Sequence, residues 1–188
     1  MRVIAGEYRS RRLKTLPGLN TRPTPDRLRE ALFNVLAPVI LDSVFLDAYA
    51  GTGAVGLEAL SRGARRCVFI EKNRAAVDVI RENLESLGAV DRAEVFTGKA
   101  ITVLERVTAD IIFLDPPYEM EKEYEAALAV IAKSAKGLVI AQHSSRLELL
   151  PDYGSLSRYR VLKQGDNWLS FYVGQIVNLG PIDNRPAQ

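Results

Sequence analysis

Five short, nearly all-apolar runs punctuate the chain: Val44 to Asp47, Cys67 to Glu71, Glu94 to Thr97, Asp110 to Leu114 and Gly137 to Ala141. Amphipathic stretches separate them at Ala54 to Ser61, Asn73 to Leu87, Ala100 to Val107 and Glu123 to Lys133. A strand with one wet face alternates apolar and polar residues, whereas a run that is apolar throughout is covered on both faces. Strand-sized runs alternating with helix-sized ones form βαβ units, so the expected fold is α/β: a mostly parallel sheet with helices on both faces. Two later runs, Arg158 to Lys163 and Leu169 to Val173, are expected to complete the sheet as a C-terminal antiparallel hairpin around Gly165-Asp166-Asn167.

At 188 residues with 47% hydrophobic content, the chain suits one core. Residues 1–22, with Gly6 and the turn pair Pro17-Gly18, are expected to form a basic extension with hairpin character. Thr24 is placed to cap a helix and Pro25 to occupy its first position; Leu28, Ala31, Leu32 and Val35 share one face, and the helix should end before Pro38. The main domain is then 23–173. A segment from 174 to 188 containing Gly180, Pro181 and Pro186 is expected to be poorly ordered.

The net charge of +2 hides an asymmetry. The first 30 residues hold eight basic and three acidic side chains, a net +5, which leaves −3 for the rest. A basic end on a mildly acidic body suits a polyanionic partner, because neutralised phosphates release counterions; an ordinary solvated surface is the alternative. No apolar run approaches the roughly 20 residues that span a bilayer, and the N-terminus lacks a signal-peptide apolar region, so a cytoplasmic protein without membrane contact is expected. One cysteine, Cys67, and one histidine, His143, leave little material for a disulfide, a zinc site or a Ser/His or Cys/His unit. No metal is expected, and the chemistry falls to carboxylates, backbone groups or a cofactor.

The first apolar run leads into Asp47-Ala48-Tyr49-Ala50-Gly51-Thr52-Gly53-Ala54-Val55-Gly56, which satisfies G-x-G-x-x-G. Such a loop at the carboxyl end of a strand lets the backbone approach a ligand at a helix N-terminus. Glu71 ends the second strand 20 residues after Gly51, where a carboxylate meets ribose hydroxyls. A nucleoside-containing cofactor follows, either a nicotinamide dinucleotide or S-adenosylmethionine. Asp47 favours the second, since a carboxylate suits an ammonium and a sulfonium better than a pyrophosphate; bracing of the loop is its other available role.

Asp115-Pro116-Pro117-Tyr118 follows Ile111-Ile112-Phe113-Leu114 directly. The prolines remove donors and stiffen the chain as it leaves the sheet. The Asp115 carboxylate and Pro116 carbonyl are then suited to accept from an exocyclic base amine, and Tyr118 offers a ring for a flipped base. A buried turn with a packed tyrosine is the alternative. The amine alone does not name its ring.

With these motifs the chain resembles the RsmD-type bacterial small-subunit (16S) ribosomal RNA guanine-N2 methyltransferases, which have a class I Rossmann-like fold. The resemblance runs from Arg2 to about Val173. It rests on Arg2-Val3-Ile4-Ala5-Gly6, on Arg22-Pro23-Thr24-Pro25-Asp26-Arg27-Leu28-Arg29-Glu30-Ala31-Leu32-Phe33-Asn34, on Asp47 to Gly56 continuing into Leu57-Glu58-Ala59-Leu60-Ser61-Arg62-Gly63, and on Asp115 to Tyr118. The second block is the most specific; DNA adenine methyltransferases share the tetrapeptide.

The resemblance implies an S-adenosylmethionine-dependent enzyme with Arg22, Thr24, Asp47, Gly51, Thr52, Gly53, Glu71, Lys72, Ala100 and Asp115 around the cofactor. It implies Asp115, Pro116, Pro117 and Tyr118 at the target amine, and Arg9, Arg11, Arg12 and Lys14 on RNA. Lys99 and Gln142 depart from the family pattern, and contact near the adenine is expected from backbone at Ala100. The implied partner is ribosomal RNA or a small-subunit assembly intermediate, and a monomer is expected. An adenine-N6 methyltransferase on DNA or RNA, a nicotinamide oxidoreductase and a non-catalytic RNA-binding module remain the alternatives. His143 is placed after the fifth strand, as a loop residue or a substrate contact; Cys67 and Trp168 are expected to pack.

Overall fold

The computed structural model describes residues 1–16, 25–117, 121–133 and 137–174. The turn expected at Pro17-Gly18, Arg22, Thr24, Tyr118 and the segment after Gly174 lie outside the described residues. Eight strands among them form one sheet: β1 (Val44–Asp47), β2 (Arg66–Glu71), β3 (Ala93–Thr97), β4 (Ile111–Leu114), β5 (Leu138–Ser144), β6 (Asp152–Tyr153), β7 (Leu156–Gln164) and β8 (Asn167–Gly174). Their order is β3-β2-β1-β4-β5-β8-β7-β6, with β1 to β5 parallel and β8 antiparallel to β5. The chain winds outward in opposite directions from β1 and β4, which opens a crevice at their carboxyl ends.

Helices α1 (Asp26–Leu36), α2 (Ala54–Ser61) and α3 (Arg74–Leu87) cover one face. Helices α4 (Ala100–Leu104) and α5 (Glu121–Ala132) cover the other. Because side chains alternate along a strand, Phe45, Phe69, Phe113 and Ile140 pack with Phe33, Leu57 and Ile80, whereas Leu46, Ile70, Ile112 and Val139 pack with Leu104, Leu128 and Ile131. Two cores on one sheet explain why these strands read as continuous apolar runs.

Several boundaries move for identifiable reasons. Pro25 precedes α1 in an extended conformation (φ −55°, ψ 143°), and its carbonyl accepts from Arg29 N–H, so Asp26 opens the helix. α4 ends at Leu104, short of the expected Val107, as the chain turns toward β4. β5 runs on to Ser144 because β8 pairs with its last residues, which puts His143 inside the strand rather than after it. The hairpin turn narrows to Gly165-Asp166, with Asn167 paired to Gln164. β6 is only two residues long and carries no readable period.

The N-terminal segment lies against α1, α2 and α3, with Val3, Tyr8 and Leu13 buried in the first core. Glu58, fully buried on α2, accepts from Ile4 N–H at 2.8 Å and Ala5 N–H at 3.0 Å, and from Arg62 Nε at 2.8 Å. Arg29, also fully buried, donates to the Arg2 carbonyl and to Asp26 at 2.8 and 2.9 Å. Burying Glu58 is tolerable because two backbone donors and an arginine satisfy it.

Candidate active site

β1 delivers Asp47 to the crevice, and the chain then makes a tight loop into α2. Gly51 (φ 54°) and Gly53 (φ 83°) adopt the left-handed conformation that other residues rarely take. Gly53 N–H donates to the Ala50 carbonyl at 2.7 Å, closing the loop just ahead of the helix. A Cβ built on Gly51 would meet nothing within 4 Å, so the loop borders open space. Gly56 has another purpose: a Cβ there would lie 2.3 Å from Phe69 Cε1, and its absence lets α2 sit close on β2.

Two carboxylates hold this loop. Glu71, at the end of β2, accepts from Gly51 N–H through Oε2 and from Asn73 N–H through Oε1, both at 2.8 Å. A carboxylate has about four lone-pair sites, so capacity remains for ribose hydroxyls. Asp47 is only 2% exposed, and its Oδ2 accepts from Gly56 N–H at 3.0 Å. It therefore braces the loop whatever else it binds. Burial pushes its carboxyl up to about 7, with the Gly56 hydrogen bond opposing and the Glu71 charge adding to the rise.

Of the remaining residues expected at a cofactor, Thr52 is half-buried in the loop and Lys72 is exposed beyond β2. Ala100 is buried at the start of α4, behind the end of β3. Gly98 N–H donates to the Glu71 carbonyl at 3.0 Å, which ties the β3 end to the β2 end. The open space at Gly51, the remaining capacity of Glu71 and the buried carboxyl of Asp47, which a cation would favour in its ionised form, fit a nucleoside linked to a cationic amino acid.

Asp115 and Pro116 emerge beside this loop. Asp47 is in register with Phe113 across β1 and β4, and Ala48 N–H donates to the Phe113 carbonyl at 3.0 Å. Asp115 is half-buried, Pro116 buried and Pro117 exposed. The Pro116 carbonyl is not solely available to a ligand, since the Tyr124 hydroxyl lies 3.4 Å away. That hydroxyl gives its better bond to the Gln142 carbonyl at 2.7 Å, so Pro116 keeps most of its accepting capacity. Tyr49, within the glycine loop, donates to Glu123 Oε1 on α5 at 3.2 Å. This bond links the glycine loop to the helix that follows the Asp115 turn.

Arg9, Arg11, Arg12 and Lys14 are all exposed. Two of them have structural partners on α3: Arg11 donates to the Ser86 carbonyl, and Lys14 Nζ pairs with Glu82 at 2.8 Å.

The minor candidates pack. His143 Nε2 lies 2.9 Å from Ser170 Oγ and Nδ1 3.0 Å from the Ser144 carbonyl, and burial lowers its basicity. Cys67 is buried, its thiol pushed up by desolvation. Trp168 is half-buried on β8 beneath Lys163, whose ammonium is 4.2 Å from the ring centroid. Among the described residues no group of three His, Cys, Asp or Glu is placed to hold a metal, and no helix is long and apolar enough to cross a membrane.

Sequence reasoning missed Asn83, Tyr49 and Tyr124. Asn83 is 1% exposed, accepts from Lys14 N–H and donates to the Lys14 and Thr52 carbonyls. Its signal was present: it lies on the buried stripe of α3 with Ile80, Leu84 and Leu87, where a polar residue needs partners.

A family model described as "Conserved hypothetical protein 95" matches residues 1–173. A Bacillus subtilis protein named "Putative rRNA methyltransferase YlbH" is 34% identical over 181 residues, covering 92% of this chain and 98% of that one. The Escherichia coli "Ribosomal RNA small subunit methyltransferase D" is 44% identical over 120 residues, 63% of this chain and 60% of that protein. The solved structure "Putative methyltransferase yhhF from Escherichia coli" superposes with a TM-score of 0.83 at 34% identity, covering 94% of this chain and 99% of that one.

Proposed function

Because the chain belongs to the RsmD-type ribosomal RNA methyltransferase family, we propose that it transfers a methyl group from S-adenosylmethionine to the exocyclic N2 of a guanine in small-subunit (16S) ribosomal RNA. The observation that carries this reading is the convergence of Asp47, the glycine loop and Asp115 at the carboxyl ends of β1 and β4. A donor loop and an amine acceptor within one crevice are what such a transfer requires.

When bound, the cofactor would supply the methyl group, the guanine N2 gaining a C–N bond as the methyl–sulfur bond breaks, with S-adenosylhomocysteine leaving and the displaced N2 proton passing to solvent. Glu71 holds the ribose hydroxyls while keeping Gly51 in place, and Asp47 faces the cationic amino-acid end. Backbone near Ala100 borders the adenine, with Thr52 and Lys72 nearby; Arg22 and Thr24 are proposed as further cofactor contacts on the family resemblance alone. Asp115 and the Pro116 carbonyl accept the amine hydrogens, which aligns its lone pair, and Pro117 and Tyr118 are the residues proposed to receive the base, the tyrosine by stacking. Arg9 and Arg12 meet phosphates of ribosomal RNA or of a small-subunit assembly intermediate. Arg11 and Lys14 contribute field, since each also has a partner on α3.

The test is to map methylated bases in ribosomal RNA from cells with and without the gene, and to supply the purified protein with labelled S-adenosylmethionine and small-subunit RNA or particles. Label in N2-methylguanine is expected. Label in N6-methyladenine would move the assignment to adenine, and no transfer to either substrate would overturn it.

A further inference from the structure

Arg2 and Arg12 face each other across an isolated antiparallel bridge in the N-terminal segment. Leu13 N–H donates to the Met1 carbonyl and Val3 N–H to the Arg11 carbonyl, both at 3.0 Å. These bonds flank the pair, so it is of the non-hydrogen-bonded kind, in which Cα atoms approach to about 4.5 Å and side chains are closest. Val3 and Leu13, each the next residue after a bridge partner, are buried in the core. Side chains alternate across a ribbon, so Arg2 and Arg12 leave on the solvent side, where both are exposed.

Like charges directly opposite one another destabilise a strand pair. Among the described residues neither arginine joins an ion pair, although Lys14, Arg29, Arg62, Arg66, Arg81 and Arg92 all do. The backbone beneath the pair is held firmly: Arg29 binds the Arg2 carbonyl at 2.8 Å, and Glu58 binds Ile4 and Ala5. Two cations are thus held together on a fixed ribbon with no anion of the described residues paired to either. By contrast, Arg11 and Lys14 are occupied by Ser86 and Glu82 of α3.

We infer that Arg2 and Arg12 form a two-arginine clamp for a backbone phosphate of the RNA substrate, whereas Arg11 and Lys14 dock the segment. This rests on the RNA-methyltransferase reading and divides the basic segment into binding and structural halves. Guanidinium forks suit phosphate oxygens, and one bridging phosphate removes the repulsion that the free protein carries.

The experiment compares wild type, Arg2→Gln/Arg12→Gln and Arg11→Gln/Lys14→Gln. Each is titrated with transcribed small-subunit ribosomal RNA across a salt series, and melting is followed at low and high salt. The first double variant should lower the log–log salt slope by roughly 0.7 to 0.9, the value for the one phosphate that the two arginines share. Its melting temperature should match or exceed that of wild type at low salt, with the difference gone at high salt. Arg2→Lys/Arg12→Lys should restore most of the slope. The second double variant should melt earlier and lose less than half as much slope as the first. An unchanged slope in the first variant, or an equal drop in the second, overturns the clamp. Methyl transfer by wild type is measured alongside: if it persists, only the clamp falls, and if wild type transfers no methyl group to RNA, both readings fall.

Discussion

The side-chain amide of Asn83 holds the main chain of Lys14 from both sides, accepting from its N–H at 2.8 Å and donating to its carbonyl at 3.2 Å. Its second amide hydrogen goes to the Thr52 carbonyl at 3.3 Å. One buried side chain thus joins the basic segment to the glycine loop, with Oδ1 and both hydrogens in use. Replacing Asn83 by leucine leaves three backbone groups without this partner. Unfolding in urea should show a loss of about 1–2 kcal/mol, since an orphaned buried group costs about 1–3 kcal/mol and these three, on exposed Lys14 and half-buried Thr52, are only partly shielded from water. Asn83→Asp keeps the acceptor and loses both donors, so calorimetry with S-adenosylhomocysteine should show weakened binding in both variants. Unaltered stability and affinity would remove Asn83 from this role.

Asp47 gives the site a pH dependence. Its carboxyl is raised to about 7 in the free protein against 3.8 ordinarily, so between those values the fold retains a proton that the unfolded chain has released. Stability of the free protein from this group is therefore lost as pH rises through the window, by at most about 1.4 kcal/mol per unit, and is level above it. Asp47→Asn should flatten the trend in denaturant midpoints measured from pH 4 to 8.

The same ionisation governs ligand binding with opposite sign. A cationic amino-acid moiety prefers the Asp47 carboxylate, so binding should weaken up to about tenfold per unit as pH falls from 7 to 5, where the ligand's α-amino group stays charged. Calorimetry with S-adenosylhomocysteine over that range checks it, and Asp47→Asn should bind weakly at every pH. A flat wild-type profile would mean that Asp47 only braces Gly56.

Asp115→Ala should lower kcat by at least about 100-fold, the scale for loss of one positioned hydrogen-bonding group. Cofactor affinity should stay within a few-fold of wild type, because the loop carboxylates are untouched. Single-turnover assays with paired calorimetry separate the two. Near-normal turnover would place the amine acceptor elsewhere.

Gly56→Ala tests close packing rather than chemistry. Its methyl group would meet Phe69 at 2.3 Å and Cys67 Sγ at 2.7 Å. Forcing α2 away from β2 should cost about 1–3 kcal/mol in chemical denaturation. It should also disturb the Asp47 contact, since Gly56 N–H is the donor. Gly51→Ala meets no atom and should lose stability only through its backbone angle of 54°.

Sequence by itself determined the α/β sheet with its late hairpin, because a parallel strand covered on both faces has to be apolar throughout, and Phe45-Leu46 or Phe69-Ile70 cannot be solvated on either side. It also located the glycine loop with Glu71, and the Asp115 turn, since each is a contiguous motif at a strand end. What it could not contain was the assignment of long-range partners. Asn83 is 69 residues from Lys14, Tyr49 is 74 from Glu123, and Arg2 meets Arg12 only once the segment is pinned by Glu58 and Arg29. The same applies to His143, which reads as a loop residue until β8 lengthens β5. Those contacts follow from how α3, α5 and the N-terminal ribbon pack against the sheet. Period and propensity are local, whereas a buried polar group finds its partner by three-dimensional proximity, so tertiary structure decided which carboxylates brace the loop and which arginines stay available.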